Sequence, residues 1–146
     1  MKKLLFTLCG ICCTAMLFAA ATTPEGWMDD YDAAFKTARE KSHPVLLLFT
    51  GSDWCPLCME LKRKVLSTPE FKKFAAEKFV LLYVDFPAHT KLPAELEKRN
   101  RRLLEKTEIE GFPTTFILAP DGKEIGRIVG YDPEYLGLLR KLVNRK

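Results

Sequence analysis

Two cysteines three residues apart, Cys55 and Cys58, stand in the stretch GSDWCPLCMEL at residues 51–61, behind Trp54 and with Pro56 between them. Thiols at this spacing can supply half of a zinc site, close a structural bridge, or exchange disulfides through a reactive thiolate. A zinc site needs about four ligands. The only histidines are His43, beside a turn proline, and His89, in a loop, and both read as surface residues. A bridge from Cys55 to Cys58 closes so short a loop that chain entropy gives it little stabilising value. Redox exchange is the strongest of the three readings.

That chemistry depends on what surrounds the pair. Val45-Leu46-Leu47-Leu48-Phe49 is a continuous apolar run, as in a strand buried on both faces. Residues 50–54 form a loop, and Pro56 suits the first position of a helix because it has no N–H to lose there. Cys55 therefore falls at a strand-to-helix junction, where unpaired N–H groups and the helix dipole favour a thiolate. This makes Cys55 the attacking sulfur. Cys58, one turn on and on the same helical face, is placed to resolve a mixed disulfide and to be less exposed. Trp54 reads either as a core aromatic or, from its place beside Cys55, as a wall of the site. Asp53 reads as a solvated or capping acid.

The remaining elements follow from periodicity. Residues 29–41 place Tyr31, Ala34, Phe35 and Ala38 on one helical face. Leu57, Leu61, Val65 and Leu66 continue the helix that begins at Pro56, and Thr68 caps another. Residues 79–84 form a second buried strand, ended by Asp85-Phe86-Pro87. Pro93 opens a charged helix through about Lys106, with Leu96, Leu103 and Leu104 inward. Gly111-Phe112-Pro113 precedes a third strand, Thr114–Leu118. The turn Pro120-Asp121-Gly122-Lys123 returns an antiparallel strand, 124–129, with Ile125, Arg127 and Val129 alternating. A last helix carries Tyr135, Leu138, Leu139, Leu142 and Val143. This order predicts one α/β domain: a mixed, mostly parallel sheet with a C-terminal antiparallel hairpin and helices on both faces.

Residues 1–21 stand apart from that domain. Lys2 and Lys3 precede an apolar run from Leu4 to Ala20, and Ala19-Ala20-Ala21 offers a small-residue cleavage site. This pattern predicts a secretory signal peptide, leaving residues 22–146 as the domain. The alternatives are an uncleaved anchor, for which the run is short, and a lipoprotein signal, for which Cys9, Cys12 and Cys13 lack the expected preceding residues. Of the five cysteines only Cys55 and Cys58 lie beyond the leader. Loss of two lysines takes the net charge from +4 to +2, too weak a bias to argue for nucleic acid. The basic run EKRNRRLLEK at 97–106 is flanked by Glu97 and Glu105 and reads as a solvated helix face.

The stretches FTGSDWCPLC, GFPTTFIL and PDGKEIGRIVGY together resemble the thioredoxin-fold oxidoreductases, with agreement in element order over about residues 27–145. LLYVDFP followed by a long charged helix is similar to exported bacterial thioredoxin-like proteins of the DsbH type. The resemblance implies that Cys55 is the nucleophile, that Cys58 resolves, and that Pro113 is cis and faces them. It further implies an exported, periplasmic protein, with protein disulfides or thiols as substrates and a membrane or periplasmic electron donor. The cysteine pair carries the electrons, so no bound cofactor or metal is expected, and the chain reads as a monomer. A cis bond would turn the Phe112 backbone outward for an extended substrate to pair with it as a strand. Phe112 itself reads equally as a substrate contact or as packing. Two departures from thioredoxin stand out. The residues between the cysteines are Pro56-Leu57, and the buried acid of the strand before the motif is replaced by Leu48 or Phe49, so no acid is in sight to take the proton of Cys58.

The competing class is a thioredoxin-fold binding or chaperone module whose cysteines are incidental. For the enzyme, Leu57 cannot stabilise a thiolate and Pro56 removes one N–H donor. These features predict a reducing pair at about −230 to −270 mV rather than a strong oxidant near about −120 mV.

Overall fold

The computed structural model describes residues 23–144. The predicted signal peptide, with Cys9, Cys12 and Cys13, lies outside the described residues. The central strand β1 (Val45–Thr50) is buried along its whole length, as its unbroken apolar run requires. It lies between β2 (Val80–Asp85) and β3 (Thr114–Leu118), and β4 (Glu124–Val129) completes the sheet in the order β2-β1-β3-β4.

The mixed sheet of the expected fold is present, but the balance of strand directions differs from the expectation of a mostly parallel one. β1 and β2 run parallel, with Thr50 opposite Asp85. β3 runs antiparallel to β1, with Phe49 opposite Thr114, and β4 runs antiparallel to β3. A short apolar run is the same read in either direction, so periodicity carries no sign of β3's orientation. At the other edge Met28 bridges to Leu82 in parallel, which covers the free side of β2.

Alternation along the strands separates two cores. Val45, Leu47, Phe49, Val84 and Phe116 face α1 (Tyr31–Lys41) and Leu103 and Leu104 of α4 (Ala94–Glu105). Leu46, Leu48, Tyr83, Ile117 and Ile128 face the opposite way. They meet α2 (Pro56–Leu61), a π-helical turn (Lys62–Leu66), α3 (Pro69–Lys78) and α5 (Tyr135–Val143). Thr68 caps α3 as expected, accepting the Phe71 N–H at 3.2 Å.

Three local expectations change. Leu57 does not join the buried stripe of its helix. It is 46% exposed in the first turn of α2, where Cys58 takes the inward position. In β4 a register shift at Ile117/Leu118 reverses the phase of the strand. Ile125 therefore packs on the same core as Ile128, while Val129 is exposed. In α4 the polar Asn100 is buried, because its amide donates to the Asp85 carbonyl at 2.9 Å.

Candidate active site

Cys55 ends the loop that leaves β1 and caps α2, with Pro56 in the first turn. It is joined to Cys58 in a disulfide across one helical turn. The Cys58 N–H donates to the Cys55 sulfur at 3.2 Å, one of the free donors of the helix start put to use on sulfur. The Cys55 sulfur also lies 3.6 Å from the Phe112 carbonyl oxygen. Cys55 is 5% and Cys58 3% exposed, so exposure barely separates them. They differ instead in that Cys55 precedes the helix and faces Phe112.

The Phe112–Pro113 bond is cis. Pro113 is buried, and its carbonyl accepts the Gly130 N–H at 2.7 Å. Trp54 is 44% exposed and belongs to the rim rather than the core. Its indole N–H donates to the Phe86 carbonyl at 2.6 Å, and its ring meets Phe112 edge-on at 5.7 Å. Phe112 in turn packs on Phe86, and Phe86 on Phe49, so aromatic packing runs from the core to the rim. Trp54 lies over Gly51, where an added Cβ would stand 2.4 Å from the ring.

The loop 51–54 is held by contacts distant in sequence, in which Asp53 is a capping acid. Ser52 donates through its N–H and its hydroxyl to the two oxygens of Asp85, at 2.9 and 2.5 Å. Asp53 accepts the N–H groups of Ala88, His89 and Thr90 at 2.7 to 2.9 Å. Ser52 is thus tied to the end of β2, and Asp53 and Trp54 to the segment that follows it. The two acids respond in opposite ways. Desolvation works to raise the Asp53 carboxyl, but the backbone donors of 88–90 and the Thr90 side chain outweigh it and hold the group at about 2. For Asp85 desolvation wins: it raises the carboxyl against the Ser52 and Phe86 donors, and the Asp53 charge adds to the rise.

A buried disulfide at a helix start, facing a carbonyl beside a cis proline, is the arrangement of the thioredoxin fold. The chain belongs to the thioredoxin-like family, whose family model, a thioredoxin-like domain, matches residues 31–142. It is similar to the disulfide bond reductase DsbH of Chlamydia pneumoniae, with 32% identity over 105 residues, covering 72% of this chain and 63% of that protein. It is also similar to the thioredoxin-related protein DsbJ of the same organism, with 33% identity over 108 residues, covering 74% of this chain and 31% of that protein. It thus spans less than two thirds of either relative's length. The solved structure of a DsbH oxidoreductase superposes with a TM-score of 0.75 at 28% identity, covering 90% of this chain and 92% of the other.

Proposed function

We propose that this chain is a thiol–disulfide oxidoreductase that acts outside the cytoplasm and reduces disulfides in proteins. The observation that carries this reading is the Cys55–Cys58 disulfide, with the Cys55 sulfur at the start of α2 and against the Phe112 carbonyl. In the reduced protein Cys55 attacks a substrate sulfur. One substrate sulfur leaves as a thiolate and a mixed disulfide remains. Cys58 then attacks the Cys55 sulfur, closing the pair and releasing the second substrate thiol. Two electrons pass to the substrate, and an outside thiol donor at the membrane or in the periplasm restores the pair. The pair is itself the electron carrier, so the cycle needs no bound cofactor.

A protein substrate is supported by the surface round the site. Among the described residues the exposed large hydrophobics are Tyr31, Trp54, Leu57, Met59 and Val129. Three of these lie within four residues of Cys55, and Val129 pairs with Thr114, next to Pro113. An extended apolar segment beside a substrate cysteine would cover Trp54, Leu57 and Met59 and lie along Phe112 and Pro113. The reducing direction is supported by Pro56 and Leu57, neither of which donates to the Cys55 sulfur, and by the name of the DsbH relative, a disulfide bond reductase. Export is supported by the leader-like residues 1–21, and action as a monomer is part of the same reading.

Insulin reduction with wild type, Cys55→Ser and Cys58→Ser tests the proposal. Wild type should reduce insulin, Cys55→Ser should not, and Cys58→Ser should hold substrates in covalent complexes in the native host. Equal behaviour of wild type and Cys55→Ser would overturn it in favour of a binding module.

A further inference from the structure

The proposed cycle requires Cys58 to lose a proton while it is almost wholly buried. At 3% exposure its thiol touches almost no bulk water. It does line a cavity of about 530 Å³, whose wall also includes Thr50, Ser52, Lys62 and Tyr83. Among these, Tyr83 is a poor base, because burial and then the Asp85 charge push its hydroxyl far above the ordinary range. An ammonium such as that of Lys62 is a donor only. Ser52 is different, because its hydroxyl already donates to a carboxylate, Asp85.

Asp85 sits between two spaces. On one side is Ser52, which faces the Cys58 cavity. On the other is a space of about 10 Å³ lined by Thr23, Asp29, Tyr83, Asp85 and Asn100, about the room one water occupies. Asp29, held by the Thr23 hydroxyl at 2.8 Å, is only partly buried. Cys58 and Ser52 thus share the wall of one cavity, Ser52 and Asp85 share a hydrogen bond, and Asp85 and Asp29 share the wall of the small space.

We propose that Asp85, acting through the Ser52 hydroxyl, accepts the proton that Cys58 gives up when it resolves the mixed disulfide. The inference rests on the oxidoreductase reading above. In this step the Cys58 S–H bond breaks and a Cys58–Cys55 S–S bond forms. The Cys55–substrate S–S bond breaks, and the substrate sulfur leaves with the electron pair as a thiolate. The thiol proton goes to the Ser52 oxygen, directly or over a cavity water, as Ser52 passes its own proton to Asp85. The substrate is reduced and the cysteine pair oxidised. The titratable groups around Asp85 are Asp53 in the redox loop, Asp29 across the small space and Tyr83 on its own strand. The Asp53 charge opposes its ionisation and so favours the protonated product of the transfer. Desolvation raises the carboxyl further, which brings it closer to a thiol in proton affinity, as a general base requires.

The test is stopped-flow reaction of excess reduced protein with the symmetric disulfide of thionitrobenzoate. One thionitrobenzoate is released when Cys55 attacks and a second when Cys58 resolves. Asp85→Asn should slow the second release by at least ~10-fold at neutral pH, within reach of the ~10²–10⁴ that general acid–base groups contribute. It should leave the first release within about two-fold. Ser52→Ala removes only the relay oxygen, should give the same selective loss, and carries the test if Asp85→Asn does not fold. The pH profile of the second release should lose its carboxyl inflection in both variants. An unchanged second release, or equal slowing of both releases as expected from a merely loosened loop, overturns the inference. If wild-type protein gives no first release, the oxidoreductase reading fails instead.

Discussion

The Cys58 N–H donates to the Cys55 sulfur at 3.2 Å, while that sulfur stands 3.6 Å from the Phe112 carbonyl. The N–H stabilises a thiolate on Cys55 once the disulfide opens, and the helix dipole adds to it. Cys58 lies inside the helix and receives neither. Alkylation of the reduced protein at neutral pH should therefore label Cys55 first, because the thiolate is the reacting form. Peptide mapping after partial labelling reads the order, and preferential labelling of Cys58 would reverse the assignment.

The same N–H is the only hydrogen-bond donor to the Cys55 sulfur among the described residues. Asp53, two residues before, directs its carboxylate to the 88–90 backbone. With so little to stabilise the thiolate, the pair should equilibrate with glutathione at about −230 to −270 mV. A value near about −120 mV, that of a strong oxidant, would show that the direction is wrong.

Gly51 is set by Trp54. A Cβ at Gly51 would stand 2.4 Å from the indole, and the ring cannot simply swing away, because its N–H is bonded to the Phe86 carbonyl. Gly51→Ala should cost about 1–3 kcal/mol, as overpacking does. Trp54→Ala removes the obstacle, so adding Gly51→Ala to it should cost much less. A double-mutant cycle by denaturant unfolding measures this coupling, and simple additivity would contradict the packing argument.

The parts legible in the sequence are those with a local signature. Cys55 and Cys58 stand out by spacing, Pro113 by its place before a strand, and the helix starts by Pro56 and Thr68. The tie between Ser52 and Asp85 spans 33 residues and that between Asp53 and Thr90 spans 37. Neither leaves a trace in periodicity, since Asp85 reads only as the end of a strand and Asp53 as a loop acid. β1 carries Leu48 and Phe49 where an acid near the cysteines would stand, and the buried acid of the loop network comes instead from β2, across a strand pairing. Leu57 read as core because its spacing to Leu61 is helical, yet the first turn of α2 belongs to the surface. Asn100 was hidden in a run of charges, and only its bond to the Asp85 carbonyl explains its burial.

Asp53 and Asp85 should give opposite pH dependences to stability. The folded protein lowers the Asp53 carboxyl from 3.8 to about 2. Its contribution is therefore present above about 4 and lost as pH falls through about 2. The melting-temperature gap between wild type and Asp53→Asn should narrow over that interval. Asp85 is raised above 3.8 by burial, so its contribution is present below that value and lost as pH rises through the folded value. Wild type should lose stability relative to Asp85→Asn as pH rises from about 4. Melting curves from acid to neutral pH check both slopes, and slopes of the same sign would contradict the two environments.

Tyr135 is the largest fully buried side chain among the described residues, and it carries a hydroxyl. It is 0% exposed, and its hydroxyl lies 2.5 Å from the Thr115 hydroxyl, itself 1% exposed. Burial pushes the Tyr135 hydroxyl far up, with only Thr115 opposing, so it stays protonated at any working pH. Tyr135→Phe leaves the Thr115 hydroxyl buried without this partner and should cost about 1–3 kcal/mol, independent of pH near neutrality. Tyr135→Phe with Thr115→Val removes both polar groups while keeping the shapes, and that exchange is close to neutral when no group is stranded. The double variant should thus recover most of what the single one loses. Urea unfolding at constant slope reads both as shifts in midpoint. A single variant as stable as wild type, or a double variant that loses the sum of the two single changes, would show that the pair is not coupled.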